Sequence, residues 1–266
     1  MKKKKDLSGK NTKFAIIFFA FIALIVFASL VYKTILLIGR SRFDSDNKFN
    51  VLVWDNKNIK VLSFSPDKGS ISVLRIEGDR GEIDIYKFLE IPLDAHISTD
   101  SKNFNNDIKQ LLSSAVLNSR DTKSDLNTAD IVKLWIFLIT VKEESIKEEN
   151  LSINLDEAER DKILSEVFEE EKIAQEKINI EVVNSAGEYG LGNRIARLLT
   201  NIGGNVILVS TSQNLEEKSA IFYKGEQVYT LERLKKILRF NTQENKQTIG
   251  DITIRVGKDY NKFIKY

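Results

Sequence analysis

The chain has 266 residues, 42% of them hydrophobic and 29% charged, with a formal net charge of +2. That leaves room for one large domain or two small ones beyond any anchor, with enough apolar content for a core. The near-neutral charge gives no global case for nucleic-acid binding, and the absence of cysteine rules out disulfides and thiolate metal sites.

The first thirteen residues, MKKKKDLSGKNTK, are strongly basic, and the nineteen from Phe14 to Tyr32 carry no charge. At about 1.5 Å rise per residue, a helix of that length crosses most of a hydrocarbon core of roughly 30 Å. Lys33 can snorkel to the headgroups, and the apolar run resumes from Ile35 to Ile38. The positive-inside rule puts the N-terminus in the cytoplasm and the bulk of the chain outside it. Arg40 and Arg42 on the far side weaken this assignment without reversing it. A cleaved signal peptide is the alternative, but its apolar core would run about 7–15 residues, and Val26-Phe27-Ala28 makes a poor cleavage site.

Residues 39–48 are polar and read as a short linker. Three apolar runs follow, Val51–Trp54, Ile59–Phe64 and Ile71–Ile76, split by DNKN and SPDKGS. Asn and Asp tolerate unusual dihedrals, Pro66 presets a turn and Gly69 supplies a positive φ, so the spacing predicts an antiparallel meander. Ile85, Phe88 and Leu89 have helical spacing, ended by Pro92. Asp107 to Leu117 reads as an amphipathic helix, and Ala129–Val141 as an apolar one capped by Asn127 or Thr128. Lys142 to Lys177 is rich in Glu. Within it Ile163, Leu164, Val167 and Phe168 fall on one stripe, so the charge run reads as a solvated helix with a docking face.

The last third alternates. Ile178–Val183 reads as a strand, and NSAGEYGLGNRIARLLTNIGGN as a Gly-rich turn opening a helix closed by Gly203 and Gly204. Val206–Ser210 and Ala220–Tyr223 read as strands, Thr230 as the cap of a helix Leu231–Phe240, and Asp251–Val256 as the final strand. The order βαββαβ predicts a split βαβ, or ferredoxin-like, domain.

Gly187, Gly190 and Gly192 sit between a strand and a helix, where a dinucleotide fingerprint would lie. Their spacing is GxxGxG rather than GxGxxG, and Val206–Ser210 runs into Thr211 and Ser212 without an acidic residue. A tight turn built on small residues is the simpler reading. His96, the only histidine, cannot found a triad or an imidazole-rich metal site. Asp55, Glu77 and Asp79 are carboxylates at strand ends, where Mg²⁺ and a phosphate could be held, with Arg75 and Arg80 nearby. The plain readings are a turn at Asp55 and a loop at Glu77–Asp79. The tail KDYNKFIKY mixes lysines with aromatics that can stack on sugars or bases, or simply form an adhesive surface strand.

The run IEVVNSAGEYGLGNRIARLLTNIGGNVILV resembles the C-terminal domain of LytR–CpsA–Psr envelope proteins. Asn184, Gly187, Gly190, Leu191, Ala196, Leu199 and Gly203 fit its pattern, and Gly257-Lys258-Asp259-Tyr260 is similar to its ending. The middle resembles that family's catalytic domain more weakly, through FSPDKGSISVLRIEGD, LEIPLDAHIS and LNTADIVKLWIFL. In the family that domain transfers lipid-pyrophosphate-linked glycopolymers to the cell wall, with arginines, aspartates and Mg²⁺. Here DNKN replaces the arginine-bearing loop, Gly78 stands where an arginine should precede Asp79, and SKNFNNDIKQ contracts the second arginine group. Losing those arginines removes the largest electrostatic contribution to pyrophosphate transfer.

The resemblance therefore implies an α+β chain: cytoplasmic tail 1–13, transmembrane helix 14–38, linker 39–48, shrunken α/β catalytic-like domain with a meander 49–141, charged helical linker 142–177, and LytR C-terminal-like domain 178–266. The expected role is non-catalytic interaction or scaffolding in cell-wall assembly, with membrane, peptidoglycan, wall glycopolymer or envelope proteins as partners, no nucleic acid and no cofactor. Asn184, Gly187, Gly190, Gly192 and Arg194 are its candidate binding or turn residues. The alternative is a weak phosphotransferase using Mg²⁺, Asp55, Arg75, Asp79 and Arg80. A transcription regulator is a third reading, opposed by the export topology and by the lack of any legible helix-turn-helix.

Overall fold

The computed structural model describes residues 8–39, 41–44, 46–55, 57–78, 84–99, 104, 108, 111–112 and 122–262. Helix α1, Ser8–Gly39, includes the apolar span Phe14–Lys33, none of which is buried by the rest of the protein. It is long and apolar enough to cross a membrane, consistent with a single-pass anchor. The helix expected at residues 107–117 lies largely outside the described residues, as do Asp79 and Arg80.

Beyond α1 the fold is mixed α+β with two sheets. In the first, β1 (Phe49–Trp54), β2 (Ile59–Ser65) and β3 (Ser70–Glu77) run antiparallel in chain order. The turn before β3 has Gly69 at φ 57°, a conformation that costs glycine nothing. After the one-and-a-half-turn helix α2 (Ile85–Leu89), β4 (Ala95–Thr99) joins β1 in parallel and β5 (Thr122–Ser124) joins β4 antiparallel. The strands bury both faces, so period-two alternation sorts their side chains into two cores. Val51, Val53, Leu62, Phe64 and Val73 meet Ile131, Leu134 and Leu138 of helix α3, Thr128–Thr140, on one face. Leu52, Val61 and Leu74 meet Phe88, Leu89, Leu164 and Phe168 on the other.

The charged stretch is not helical throughout. Ile146–Ser152 forms β6, an edge strand parallel to β3, and only Leu151 within it is buried. Its ladder uses backbone groups, which charged side chains do not impede at a solvent-facing edge. Helices α4 (Glu157–Phe168) and α5 (Glu171–Glu176) follow. Residues 41–48 are not a free linker either: Phe43 is in the core, and Asn47 and Lys48 are buried.

The second sheet has the order β10-β9-β11-β7-β8. Its elements are β7 (Asn179–Asn184), α6 (Leu191–Asn201), β8 (Asn205–Thr211), β9 (Ala220–Tyr223), α7 (Tyr229–Leu238), β10 (Asn241–Glu244) and β11 (Ile252–Val256). This departs from the ferredoxin-like expectation. A split βαβ places another strand between its two parallel strands, whereas β7 pairs β8 directly and β9 pairs β10 directly, both in parallel. Two βαβ units thus stand in opposite directions, with β11 between them, parallel to β7 and antiparallel to β9. Strand β10, at the far edge, is polar, NTQE, with no apolar alternation to announce it. Thr230 does not cap α7 by its side chain. Glu176 accepts hydrogen bonds from the backbone N–H groups of Tyr229 and Thr230, at 2.9 and 2.7 Å, and from the Thr230 hydroxyl.

The two sheets are joined through polar groups. Arg233 on α7 donates from Nε to both oxygens of Glu170, at 2.7 and 2.9 Å, and from Nη2 to the Lys48 carbonyl. The Glu170 N–H donates to the Ile202 carbonyl at 2.9 Å.

Candidate functional site

The turn from Asn184 to Gly190 is built by one side chain and two glycines. Asn184 Nδ2 donates to the Glu188 carbonyl at 2.7 Å, while Asn184 Oδ1 accepts from the Ala186 N–H. Gly187 and Gly190 hold φ of 82° and 77°, a region that strains L side chains. Gly192 is needed for a different reason: a Cβ there would come 3.2 Å from Val209 and 3.3 Å from Asn184 as α6 crosses β7 and β8. The turn leaves Tyr189 projecting, fully exposed at 101%. Glu188 is tied to Arg194 and to the Tyr260 hydroxyl, and these two hold its carboxyl below the usual range, Tyr260 contributing most. A carboxylate therefore already occupies the region of the α6 N-terminus, against a dinucleotide-type phosphate site there.

Beside the turn, α6 faces α2 and α4 across an open basin of about 540 Å³ lined by Lys87, Arg160, Arg194, Arg197, Glu90 and Glu157, with Tyr189 on its rim. Each helix contributes by its spacing: Arg194 and Arg197 are three apart on the outer side of α6, opposite the buried Ile195 and Leu199. Arg197 is fastened to Glu90 and Glu157. Burial pushes the Glu90 carboxyl up, and the hydrogen bond from Arg197 recovers part of that; burial opposes the Arg197 charge, but Glu90 and Glu157 outweigh it and hold it above its ordinary value. Glu90 sits at φ 44°, a strained position for a non-glycine residue, held by this ion pair and by Asn201 Nδ2 on its carbonyl at 3.1 Å. Arg160 is 8% exposed and lies over the Phe88 ring at 5.1 Å. Its Nε and Nη2 are buried without a hydrogen-bond partner, and its nearest carboxylates stand 3.9 and 4.0 Å away. Asp161 Oδ1, the acceptor 3.9 Å from Nε, likewise has no hydrogen bond, so Arg160 is held by ion pairs longer than a hydrogen bond.

The other candidates lie apart from it. Asp55 is 2% exposed and is consumed by its own turn. Its Oδ1 accepts from the Lys57 and Asn58 N–H groups at 2.7 and 2.5 Å, and Oδ2 accepts from Asn58 Nδ2 at 3.0 Å. It does not fit a Mg²⁺ ligand. Arg75 pairs with Glu148 on β6 at 2.8 Å. Gly78 has φ 128°, and a Cβ there would sit 2.5 Å from Ile153 Cγ1, so an arginine at this position would require the neighbour and the backbone to move. Among the described residues no group of three or more His, Asp or Glu side chains could hold a metal ion. His96 stacks on Trp54 at 5.4 Å, with Nδ1 3.4 Å from Asp125, in a second cavity of about 160 Å³. Of the cations there, Arg42 pairs with Asp125 and Lys236 with Asp44, at 3.3 and 3.0 Å, and Arg239 also lines the cavity. Arg160 and Arg197 did not stand out in the sequence. The only trace was Arg194 and Arg197 one helical turn apart beside a turn motif.

Residues 177–260 match the family model described as LytR cell envelope-related transcriptional attenuator, consistent with the LytR–CpsA–Psr family. No curated protein matches the chain. Among solved structures, the transcriptional regulator yvhJ of Bacillus subtilis is similar at 12% identity over 40% of this chain and 83% of its own, with a TM-score of 0.32. A transcriptional regulator of Enterococcus faecalis is similar at 11% identity over 42% and 78%, with a TM-score of 0.34. The Lin1025 protein of Listeria innocua is similar at 10% identity over 40% and 83%, with a TM-score of 0.30. Likeness at this level carries no argument about the site.

Proposed function

We propose, from a chain that joins a membrane-crossing helix to a LytR-type C-terminal domain, that this protein is a single-pass envelope protein whose arginine basin contacts an anionic wall polymer without transforming it. The N-terminus lies in the cytoplasm and the folded part faces the wall, an orientation supported by the basic flank before Phe14. The observation that carries the reading is Tyr189, wholly exposed on the rim of a basin lined by Lys87, Arg160, Arg194 and Arg197. An aromatic face offers a stacking surface to a sugar ring, and guanidinium groups match the geometry of phosphate and carboxylate. The commitment of Asp55 to a turn and the crowding at Gly78 support a role in binding over phosphotransfer.

The test is retention of the detergent-solubilised full-length protein on purified wall material carrying or lacking its anionic glycopolymer. Wall material carrying the polymer should retain the protein, in a salt-sensitive way, because exposed charges are screened beyond about 10 Å at 0.1 M salt. Tyr189→Ala should weaken retention severalfold without changing the melting temperature, since the side chain touches nothing that folding needs. Equal retention of Tyr189→Ala and wild type, or no retention on any wall preparation, would refute the reading.

A further inference from the structure

The outer face of α3 does not suit water. Its inner face, Ile131, Leu134 and Leu138, packs on the first sheet. Its outer face carries Val132, Trp135, Ile136 and Ile139, each between 40% and 49% exposed. The spacing i, i+3, i+4, i+7 makes them one continuous stripe with no charge in it. Lys133, beside the stripe, turns its Nζ to the Phe43 carbonyl at 3.3 Å. A helix on a globular surface normally turns polar side chains outward, and one that is apolar all round normally has a covering layer on every side.

The location of α3 identifies that layer. Asp130, in the first turn of α3, is completely buried and binds the chain leaving α1: it accepts from the Ser41 hydroxyl at 2.8 Å, the Arg42 N–H at 2.7 Å and the Phe43 N–H at 3.2 Å. Helix α1 ends at Gly39, so at most roughly 8 Å of backbone separates its end from Ser41. Helices α1 and α3 also touch one another. The start of α3 is thereby pinned beside the point where the anchor leaves the membrane, with no tether to let it drift away. Trp135 suits a membrane–water boundary, where an amphipathic ring is favoured, and Lys142 just past the helix can reach headgroups.

We propose that the outer face of α3 lies in the headgroup–acyl boundary of the same bilayer that α1 crosses, so that the folded part rests on the membrane at two points instead of swinging from one. An interfacial helix buries its apolar face about 5–10 Å below the headgroups, which matches the depth of one layer of side chains. The other exposed apolar run, Ile207–Val209 on edge strand β8, has no such neighbour to say what covers it.

The chain has two tryptophans, and α1 contains neither. The full-length Trp54→Phe protein, reconstituted into phosphatidylcholine vesicles brominated just below the headgroups, reports Trp135 alone. The expected result is strong quenching by the brominated lipid, blue-shifted emission and protection from aqueous iodide. If Trp54→Phe does not fold, the fraction of emission quenched in the otherwise unaltered protein must fall on Trp135→Phe. Ile136→Glu, which lies outside the core, should lower the lipid quenching and raise the iodide quenching of Trp135. Iodide access without lipid quenching would put the face in water and overturn the proposal. Protection from iodide without lipid quenching would also overturn it, pointing to a second copy if protection fades on dilution in lipid and to another protein segment if it does not.

Discussion

Removing Arg233 should be among the most damaging single changes in the folded part. Arg233 is 3% exposed and Glu170 5%, and the guanidinium Nε reaches both carboxylate oxygens within 2.9 Å. Arg233→Ala leaves buried Glu170 with the Tyr229 hydroxyl, at 3.0 Å, as its side-chain hydrogen-bond donor and the charge of Lys48 nearby. It also leaves the Lys48 carbonyl without its 2.9 Å donor. Breaking one side of such a pair costs about 3–5 kcal/mol, far above the cost of removing an exposed ion pair. Burial already pushes the Glu170 carboxyl up, with Arg233 pulling it back; without Arg233 it rises further. A carboxyl raised in the folded state holds its proton more tightly there than when unfolded. Its contribution is therefore most favourable below the ordinary value of 4.5 and is lost as pH climbs toward the raised folded value. Urea unfolding of the detergent-solubilised protein should accordingly show the Arg233→Ala deficit growing as pH rises from about 4.5 and shrinking in acid. Arg233→Met with Glu170→Leu should recover most of the loss, since an apolar pair of similar volume needs no charge compensation. A single-variant cost below about 1 kcal/mol, or a double variant no better than the single, would refute the account of this joint.

Other consequences are local. Burial lowers the Lys48 ammonium to about 8 from 10.5. Stability should therefore rise between pH 8 and 10.5, where the folded state has shed a proton that the unfolded chain still holds, over a span of roughly 3 kcal/mol; Lys48→Met should flatten that segment of the unfolding profile. Asp130→Ala strips the acceptor from Ser41, Arg42, Phe43 and the Asn127 N–H at once. It should cost about 3 kcal/mol or more in thermal unfolding, with Asp130→Asn milder because an amide oxygen still accepts. Gly190→Ala meets no atom within 4 Å but must adopt φ 77°. It should cost about 1–2 kcal/mol, and Gly190→Asn should cost less because Asn enters that region more easily.

Legibility followed the kind of force that makes each element. The strands around Val51, Leu62 and Val73 were readable because burial on both faces turns them into apolar runs bounded by turn residues. The Asn127 cap was readable because capping is local, and the structure adds that Asp130 closes a capping box with it. The cap of α7 was not readable, because its acceptor, Glu176, comes from a different helix 53 residues earlier. At the basin, the turn residues Gly187 and Gly190 showed in the sequence because a positive φ selects glycine. Arg160 and Arg197 did not, because a surface arginine on a helix looks the same whether it faces water or a neighbouring helix.

What the sequence determined alone is what each stretch must do with its own side chains: the span from Phe14 has no face for water, the apolar runs must be buried, and the turns have their glycines. What only the tertiary structure decided is who pairs with whom. Strands β6 and β10 carry too few apolar residues to be recognised, yet they complete two sheets, because a ladder is made by backbone groups that every sequence possesses. The same long-range choice seats β8 beside β7 and brings Arg233 to Glu170. Local patterning records burial, whereas pairing is settled by which backbone edges and charges the folded chain carries to one place.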